Sequence, residues 1–327
     1  MFYRQSGQRR KMISRAYLLY RTATSLVVLC GVSVLTFGLT FLTPGDPART
    51  VLRQQYGQTP SRAVVEAFRE KHGLDEPLVV QYVDWLIGVL QGDLGNSYLS
   101  GRPVVELLAE ALPPTLQLST AALVVALVVA VPAGVLSAVH QGEWIDTLSQ
   151  LAALIGVSMP NFWLGYLLII AFSLQLGLFP VAGNGGLSHL VLPAVTLGTG
   201  MTAIITRLVR MSLLEVLDEP YVKTARSKGL SERIVVYKHA LRNALIPVIT
   251  VVGLQFGFLL SGAVVVEIVF QRPGLGVLLV DAVFARDYPV IQGAVLLIAV
   301  LFVLTNTLVD LTYQYLDPRI QLGGSQI

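Results

Sequence analysis

The chain has 327 residues, 54% of them hydrophobic and only 13% charged, with a formal net charge of +3. A water-soluble domain carries about 25% charged residues, so a soluble fold is excluded, and the slight net charge matters less than where the charges sit. The apolar residues form continuous runs instead of short alternating segments, which points to an all-α integral membrane protein and away from a β-barrel.

Arg4, Arg9, Arg10, Lys11, Arg15 and Arg21 come first, with no acid among them. Such an arm suits nucleic acid or the flank of a membrane helix, and the apolar run over residues 22–43 that follows favours the flank. The positive-inside rule then places the N-terminus in the cytoplasm. The run is too long for a secretory signal and lacks a small-x-small site before Pro44-Gly45-Asp46-Pro47, so it reads as a retained span. Its Cys30, the single cysteine of the chain, has no disulfide partner and no metal-ligand cluster around it.

Residues 44–110 read as an extracytoplasmic insertion. Ser61 suits an N-cap, residues 63–72 a short helix, and Gly73 its stop. Pro77 suits the first position of a second helix to about Leu90, with Leu78, Tyr82, Leu86 and Leu90 on one face and Gly92-Asp93-Leu94-Gly95 breaking it. That face suits packing on neighbouring helices, and the insertion could also receive a delivery protein.

A second span is expected over residues 112–139. No Asp, Glu, Lys or Arg then occurs between Asp146 and Arg207, sixty consecutive residues. That length accommodates two crossings of about 20 residues, joined by the turn Phe179-Pro180-Val181-Ala182-Gly183-Asn184-Gly185-Gly186. A loop over residues 214–242 carries Lys223, Arg226, Lys228, Arg233, Lys238 and Arg242, as an inside loop should. Spans over residues 244–266 and 290–309 complete six crossings and return the C-terminus to the cytoplasm. The predicted organisation is therefore a basic N-terminus (1–21), a first transmembrane helix (22–43), the insertion (44–110), a five-helix core (111–313) with the loop 214–242, and a cytoplasmic C-terminus (314–327).

Gly253, Gly257 and Ser261 recur every four residues and allow close helix pairing, within the chain or with another subunit. Ser119, Ser158, Asn161, Gln255, Thr305 and Asn306 are the notable polar residues inside the later spans, and none is ionisable. Ion-coupled carriers need buried carboxylates or histidines on their route, which argues against that class. Ser158, Asn161, Gln255 and Asn306 are candidate pathway residues, or simply bond a neighbouring helix. Glu267 and Asp310 stand at span ends, where solvated or capping roles are expected. The chain contains no P-loop, no His-Glu-x-x-His, no Gly-x-Ser-x-Gly and no paired cysteines, and His72, His140, His189 and His239 are scattered near helix ends.

The most specific segment runs from Asp218 to Pro247 and reads as two helices with an elbow. Glu219 precedes Pro220, a good first helical residue, Gly229 ends the short helix, and Ser231 can cap the next. On the short helix Tyr221, Val222 and Ala225 share an apolar side, while Lys223 and Arg226 form a basic one. An amphipathic helix of this kind suits a groove on a partner protein or the lipid headgroup layer.

The elbow resembles the cytoplasmic coupling loop of permease subunits in binding-protein-dependent ABC importers. Their general form is Glu-Ala-Ala followed, after three residues, by Gly. Here Lys223-Thr224-Ala225 and Gly229 stand in those places, with Lys at the acidic position, and His239-Ala240-Leu241-Arg242 replaces a later Ile-x-Leu-Pro. This variant resembles one branch, the B-type permeases of dipeptide, oligopeptide and nickel importers. The resemblance runs along nearly the whole chain through Pro44-Gly45-Asp46-Pro47, Gly92-Asp93-Leu94-Gly95, Ser100-Gly101-Arg102-Pro103, Leu192-Pro193-Ala194-Val195-Thr196-Leu197, Pro273-Gly274-Leu275-Gly276 and Asp317-Pro318-Arg319.

The resemblance implies a type I ABC importer permease fold in the inner (cytoplasmic) membrane. It further implies a second permease subunit, two cytoplasmic ATPase subunits that carry ATP and Mg, and an extracytoplasmic solute-binding protein. This chain would bind no cofactor and catalyse nothing itself. Glu219, Tyr221, Val222, Lys223, Thr224, Ala225, Arg226, Lys228 and Gly229 would form the ATPase contact, with Tyr221, Val222 and Ala225 in the groove and the basic residues at its rim. Short peptides are the expected cargo and nickel the alternative. A self-sufficient carrier or channel is a reading of another class, opposed by the uncharged spans and the basic docking helix, and a membrane enzyme lacks its catalytic constellation.

Overall fold

A computed structural model describes residues 15–42 and 46–316. Most of the basic arm, Pro44-Gly45 and the Asp317-Pro318-Arg319 motif lie outside the described residues. Among the described residues every regular element is helical.

Helix α1 (Arg15–Leu42) is the first span, and three short helices follow: α2 (Pro47–Tyr56), α3 (Arg62–Lys71) and α4 (Leu78–Gln91). Helix α2 is absent from the sequence expectation. Asp46 caps it by accepting from the Ala48 N–H at 3.1 Å, and Pro47 takes the first position. Ser61 precedes α3 in extended conformation but its hydroxyl makes no capping bond. Gly92 ends α4 in the left-handed region at φ 83°.

Helix α5 (Val104–Val139) begins earlier than expected and continues through Pro113 and Pro114, so the boundary placed at residue 110 falls inside it. Each proline removes one N–H from the backbone ladder. The chain ahead of α5 is fastened instead by Asp287, whose carboxylate accepts from the Ser97 hydroxyl and from the Tyr98 and Leu99 N–H groups.

The uncharged stretch holds one bent and one unbroken span. Helices α6 (Trp144–Ser158) and α7 (Asn161–Gln175, its last part π-helical) meet at 107°. Pro160 lacks an N–H and forces Met159 into an extended conformation (φ −84°, ψ 123°), so the ladder breaks there. Helix α8 (Ser188–Leu217) is long and apolar enough to span. Counted as one span, the bent pair and α8 are the two expected crossings, with the turn over residues 179–186 between them. Next come α9 (Pro220–Ser227), α10 (Glu232–Val269, π-helical over Val235–Ala240), α11 (Leu275–Ala285) and α12 (Tyr288–Leu316), the elbow being α9 and the turn that leads from it into α10.

The core lies between α5 and α8. Leu118, Ala122, Ala126, Ala130, Gly134 and Ala138 stand every fourth residue along α5, all on its buried face. Small side chains there bring α8 close: a Cβ on Gly198 would sit 2.7 Å from the Ala122 carbonyl oxygen, and one on Gly134 the same distance from that of Thr206. Met201, Ile205, Val209 and Leu213 fill the seam from α8. The Gly253/Gly257 stripe of α10 meets another span of the same chain, since Val309 and Phe302 of α12 occupy the space where their Cβ atoms would lie. Ser261 is exposed and takes no part. Gly253→Val should therefore push α12 off α10 and cost roughly 1–3 kcal/mol through overpacking. Thermal melting of the detergent-solubilised chain checks this, and an unchanged midpoint would contradict the close approach.

Ion pairs divide the bundle into two ends. Arg21 of α1 reaches Asp310 of α12 at 2.7 Å, and Arg210 of α8 reaches Asp146 of α6 at 2.7 Å. Asp310 is thus paired between two helices, correcting its expected solvated role. The elbow lies at this end, which the positive-inside rule assigns to the cytoplasm. At the opposite end Glu267 is wholly buried. Its carboxylate accepts from the Thr115 hydroxyl at 2.6 Å and from the Gly276 N–H at 2.8 Å, so it caps α11 from inside the protein. Any side chain at Gly274 would collide with that carboxylate.

Candidate functional site

The elbow is built from the end of α8 onward. Glu219 is extended (φ −65°, ψ 145°) and Pro220, with its φ already helical, starts α9. The Glu219 side chain makes no capping bond. Gly229 stops the helix at φ 78°, a conformation that costs an L-residue about 1–2 kcal/mol. Ser231 leads into α10 through its backbone carbonyl, which accepts from Ile234 and Val235, while its hydroxyl makes no capping bond.

Val222 and Ala225, three residues apart, point inward. Val222 is 0% exposed and Ala225 8%, and both pack with Val235 of α10 against Val216 and Leu217 of α8. The expectation that these two fill a partner's groove is corrected here: they seat the helix on its own chain. Helical spacing showed that they share a face, but not what the face meets. Tyr221 is exposed, and its hydroxyl accepts from the Asn243 amide at 2.7 Å.

Arg226 grips Glu232 with two hydrogen bonds of 3.1 and 2.5 Å and also reaches the Leu217 carbonyl at 3.5 Å. The hydrogen-bonded carboxylate holds its guanidinium above the ordinary arginine value. One side chain therefore ties α9 to both neighbouring helices. Lys223, Thr224, Ser227, Lys228 and Gly229 remain on the outward side. The Thr224 and Ser227 hydroxyls are bonded to the carbonyls one turn earlier, at 2.9 and 3.0 Å. With its apolar side used internally, α9 keeps only Tyr221 as a large exposed apolar side chain, which leaves little to insert into lipid.

Behind the elbow, Asp146 is 3% exposed and accepts five hydrogen bonds. They come from Arg210 Nε (2.7 Å) and Nη2 (2.8 Å), Ser137 (2.6 Å), Gln150 (2.9 Å) and the Gly142 N–H (3.0 Å). The ends of α5 and α8 and the start of α6 are locked together by this node. Sequence reading missed it because Asp146 and Arg210 lie 64 positions apart.

The four candidate pathway residues are dispersed. Ser158 and Asn161 flank the break between α6 and α7, with the Ser158 hydroxyl bonded to the Leu154 carbonyl at 2.8 Å. Gln255 is half-buried on α10, and Asn306 of α12 faces Gly257. Among the described residues no hydrogen bond joins any two of them. An apolar cavity of about 460 Å³ between α5, α10 and α12 is lined by Thr120, Thr250, Phe256 and Thr305 and includes none of the four. At the opposite end a cavity of about 480 Å³ lies between the insertion, α1 and α12, bordered by His72, Asp84, Trp85, Asp93, Tyr98 and Gln292. Burial pushes the Tyr98 hydroxyl up to about 12, with the nearby Asp287 charge adding to it, so this side chain stays a neutral hydrogen-bonding group. Burial, and then the Lys71 charge, lowers His72.

Comparison with known proteins adds two kinds of likeness. Residues 130–322 match the family model described as the binding-protein-dependent transport system inner membrane component, and residues 14–119 match that of the N-terminal part of such membrane components. The chain is 45% identical over 305 residues to the glutathione transport system permease protein GsiC of Escherichia coli strain K12, covering 93% of this chain and 98% of that one. The GsiC protein of Shigella flexneri gives the same identity and coverage. Among solved structures, the inward-facing methionine ABC transporter MetNI aligns with 64% of this chain and 96% of its own (TM-score 0.55, 21% identity). A fold likeness is what that alignment carries.

Proposed function

The chain belongs to the family of binding-protein-dependent transport system inner membrane components, and on that basis we propose that the cargo of this permease is a short peptide of the glutathione size class. As an ABC importer permease it is a multi-pass inner-membrane transport component and not itself an enzyme. Such a subunit works with an ATPase and a binding protein. The observation that carries the cargo reading is the 45% identity, sustained over 93% of the chain, to permeases named for glutathione transport.

In this reading two ATPase subunits, holding ATP and Mg, receive the outward side of α9. Tyr221, Lys223, Thr224, Arg226, Lys228 and Gly229 form the contact, with Glu219 at its edge. Val222 and Ala225 form the seat beneath. A second, related permease supplies the other half of the pathway, and Ser158, Asn161, Gln255 and Asn306 are candidates to line this half. The physical support lies in the rigidity of the elbow. A push on α9 is passed to α8 through Val216 and Leu217 and to α10 through Val235 and the Arg226–Glu232 pair. From α8 it reaches α5 and, through Asp146, α6. Motion of the nucleotide-driven partner thus becomes motion of whole helices.

Uptake tests the cargo in a strain lacking only this chain, with labelled glutathione, a dipeptide, a longer peptide and radioactive nickel in parallel. Loss of glutathione or dipeptide uptake, with nickel unaffected, is the expected result. Selective loss of nickel uptake would overturn the cargo and leave the permease assignment standing.

A further inference from the structure

None of the 14 residues of α4 is buried, and its side chains sort into three arcs at about 100° per residue. One arc holds Leu78, Tyr82, Trp85, Leu86 and Val89; all but Leu78 are half-buried, and Tyr82 and Trp85 meet α1. The Tyr82 hydroxyl lies 2.9 Å from that of Ser33, and the Tyr82 and Trp85 rings stand 5.3 and 5.9 Å from the ring of Phe37. A second arc is polar: Gln81, Asp84, Gly88 and Gln91. Gln81, Asp84 and Gly88 of this arc border the 480 Å³ cavity. The third arc holds Val79, Val80, Val83, Ile87 and Leu90, with Val79 and Leu90 exposed by 74% and 79%. Five large apolar side chains on one arc do not belong on an aqueous surface.

The contact with α1 sets the height of this helix. Ser33 and Phe37 lie nine and five residues before Leu42, the last residue of α1, whose apolar run continues past Gly38. At 1.5 Å per residue the contact sits roughly 8 to 14 Å from the end of α1. Its shallow side lies at the depth that the apolar face of an interfacial helix reaches, about 5–10 Å. Val34 and Leu35 of α1 are likewise exposed apolar side chains on the same stretch of the span.

We propose that α4 is an interfacial helix: it lies in the outer leaflet of the membrane, with Val79, Val80, Val83, Ile87 and Leu90 among the acyl chains and its polar arc turned to the aqueous cavity. The partner of this surface is lipid. Outer follows from the positive-inside orientation given above. Asp84 is the sole charged residue of α4, so burial of apolar surface and not attraction to anionic headgroups holds it there. The helix then fixes the height of the insertion, and of the cavity it borders, against the spans.

The full chain in lipid vesicles tests this. In a Cys30→Ser background, nitroxide labels are placed through Val79→Cys, Val83→Cys, Ile87→Cys and, for contrast, Asp84→Cys. Labels at 79, 83 and 87 should be relaxed by oxygen and shielded from a water-soluble paramagnetic reagent, while the label at 84 shows the reverse. Equal access of the aqueous reagent to all four would overturn the proposal. Shielding that arises only when a binding protein is added would overturn it too, in favour of a protein-docking face. A second readout guards against labels that disturb folding: with Trp144→Phe and Trp163→Phe, Trp85 is the remaining tryptophan. Lipids brominated near the headgroup should quench it, and quenching by aqueous iodide alone would contradict the placement.

Discussion

Replacing Val222 by Asp is expected to abolish transport while leaving the chain in the membrane. Val222 is 0% exposed beneath α9, against Ala225, Val235, Val216 and Leu217. No donor in that cluster could serve a carboxylate, and burying a charge without a partner costs several kcal/mol. The short helix has few other attachments, chiefly Arg226–Glu232 and Tyr221–Asn243, both exposed and of small worth. It therefore unseats before the spans do. The measurement is uptake together with stimulation of the partner ATPase by loaded binding protein, and membrane abundance of the variant is the control. Val222→Ala, which removes two carbons at about 0.8 kcal/mol each, should weaken coupling in the same direction without abolishing it. A Val222→Asp protein that imports at the parental rate would show that α9 does not need its seat.

Replacing Asp146 by Ala should cost about 3–5 kcal/mol of stability, because Arg210 is left charged and unpaired in a largely enclosed site. The Arg210 side chain is 19% exposed, and its Nε and Nη2 both lose their acceptor. The Ser137 hydroxyl, the Gln150 amide and the Gly142 N–H lose theirs as well. Melting in detergent and the amount of folded protein in the membrane should both fall. The discriminating variant is the double replacement Asp146→Leu with Arg210→Met. Removing both charges in favour of apolar groups is close to neutral, so it should recover most of the loss. If the double variant is as unstable as the single one, the pair is not what holds the ends of α5, α6 and α8 together.

Local chemistry made much of the molecule legible. Charge-free runs announce membrane crossings because no soluble surface tolerates them, and Lys and Arg in the loops orient them. Pro220 and Gly229 bracket α9, and Gly92 ends α4, because proline and glycine impose backbone angles wherever they stand. Pro160 could have been read the same way, yet a long uncharged stretch masks a break that composition does not register. The candidate site was legible as a helix with two faces and illegible as to which face is free. Spacing three apart puts Val222 and Ala225 on one side whatever that side meets.

Sequence alone determined the class, the number of crossings counted with the bent one, the elbow and the family, since each depends on residues near one another or on order along the chain. Tertiary structure alone decided that Val222 and Ala225 face inward and that Glu267 caps α11 from a buried position. It also decided that Asp146 finds Arg210 64 positions away, and that the Gly253 stripe serves α12. The reason is common to all four. A side chain's chemistry is local, but its partner is chosen by how helices far apart in the chain come to lie side by side, and only the packed bundle sets that.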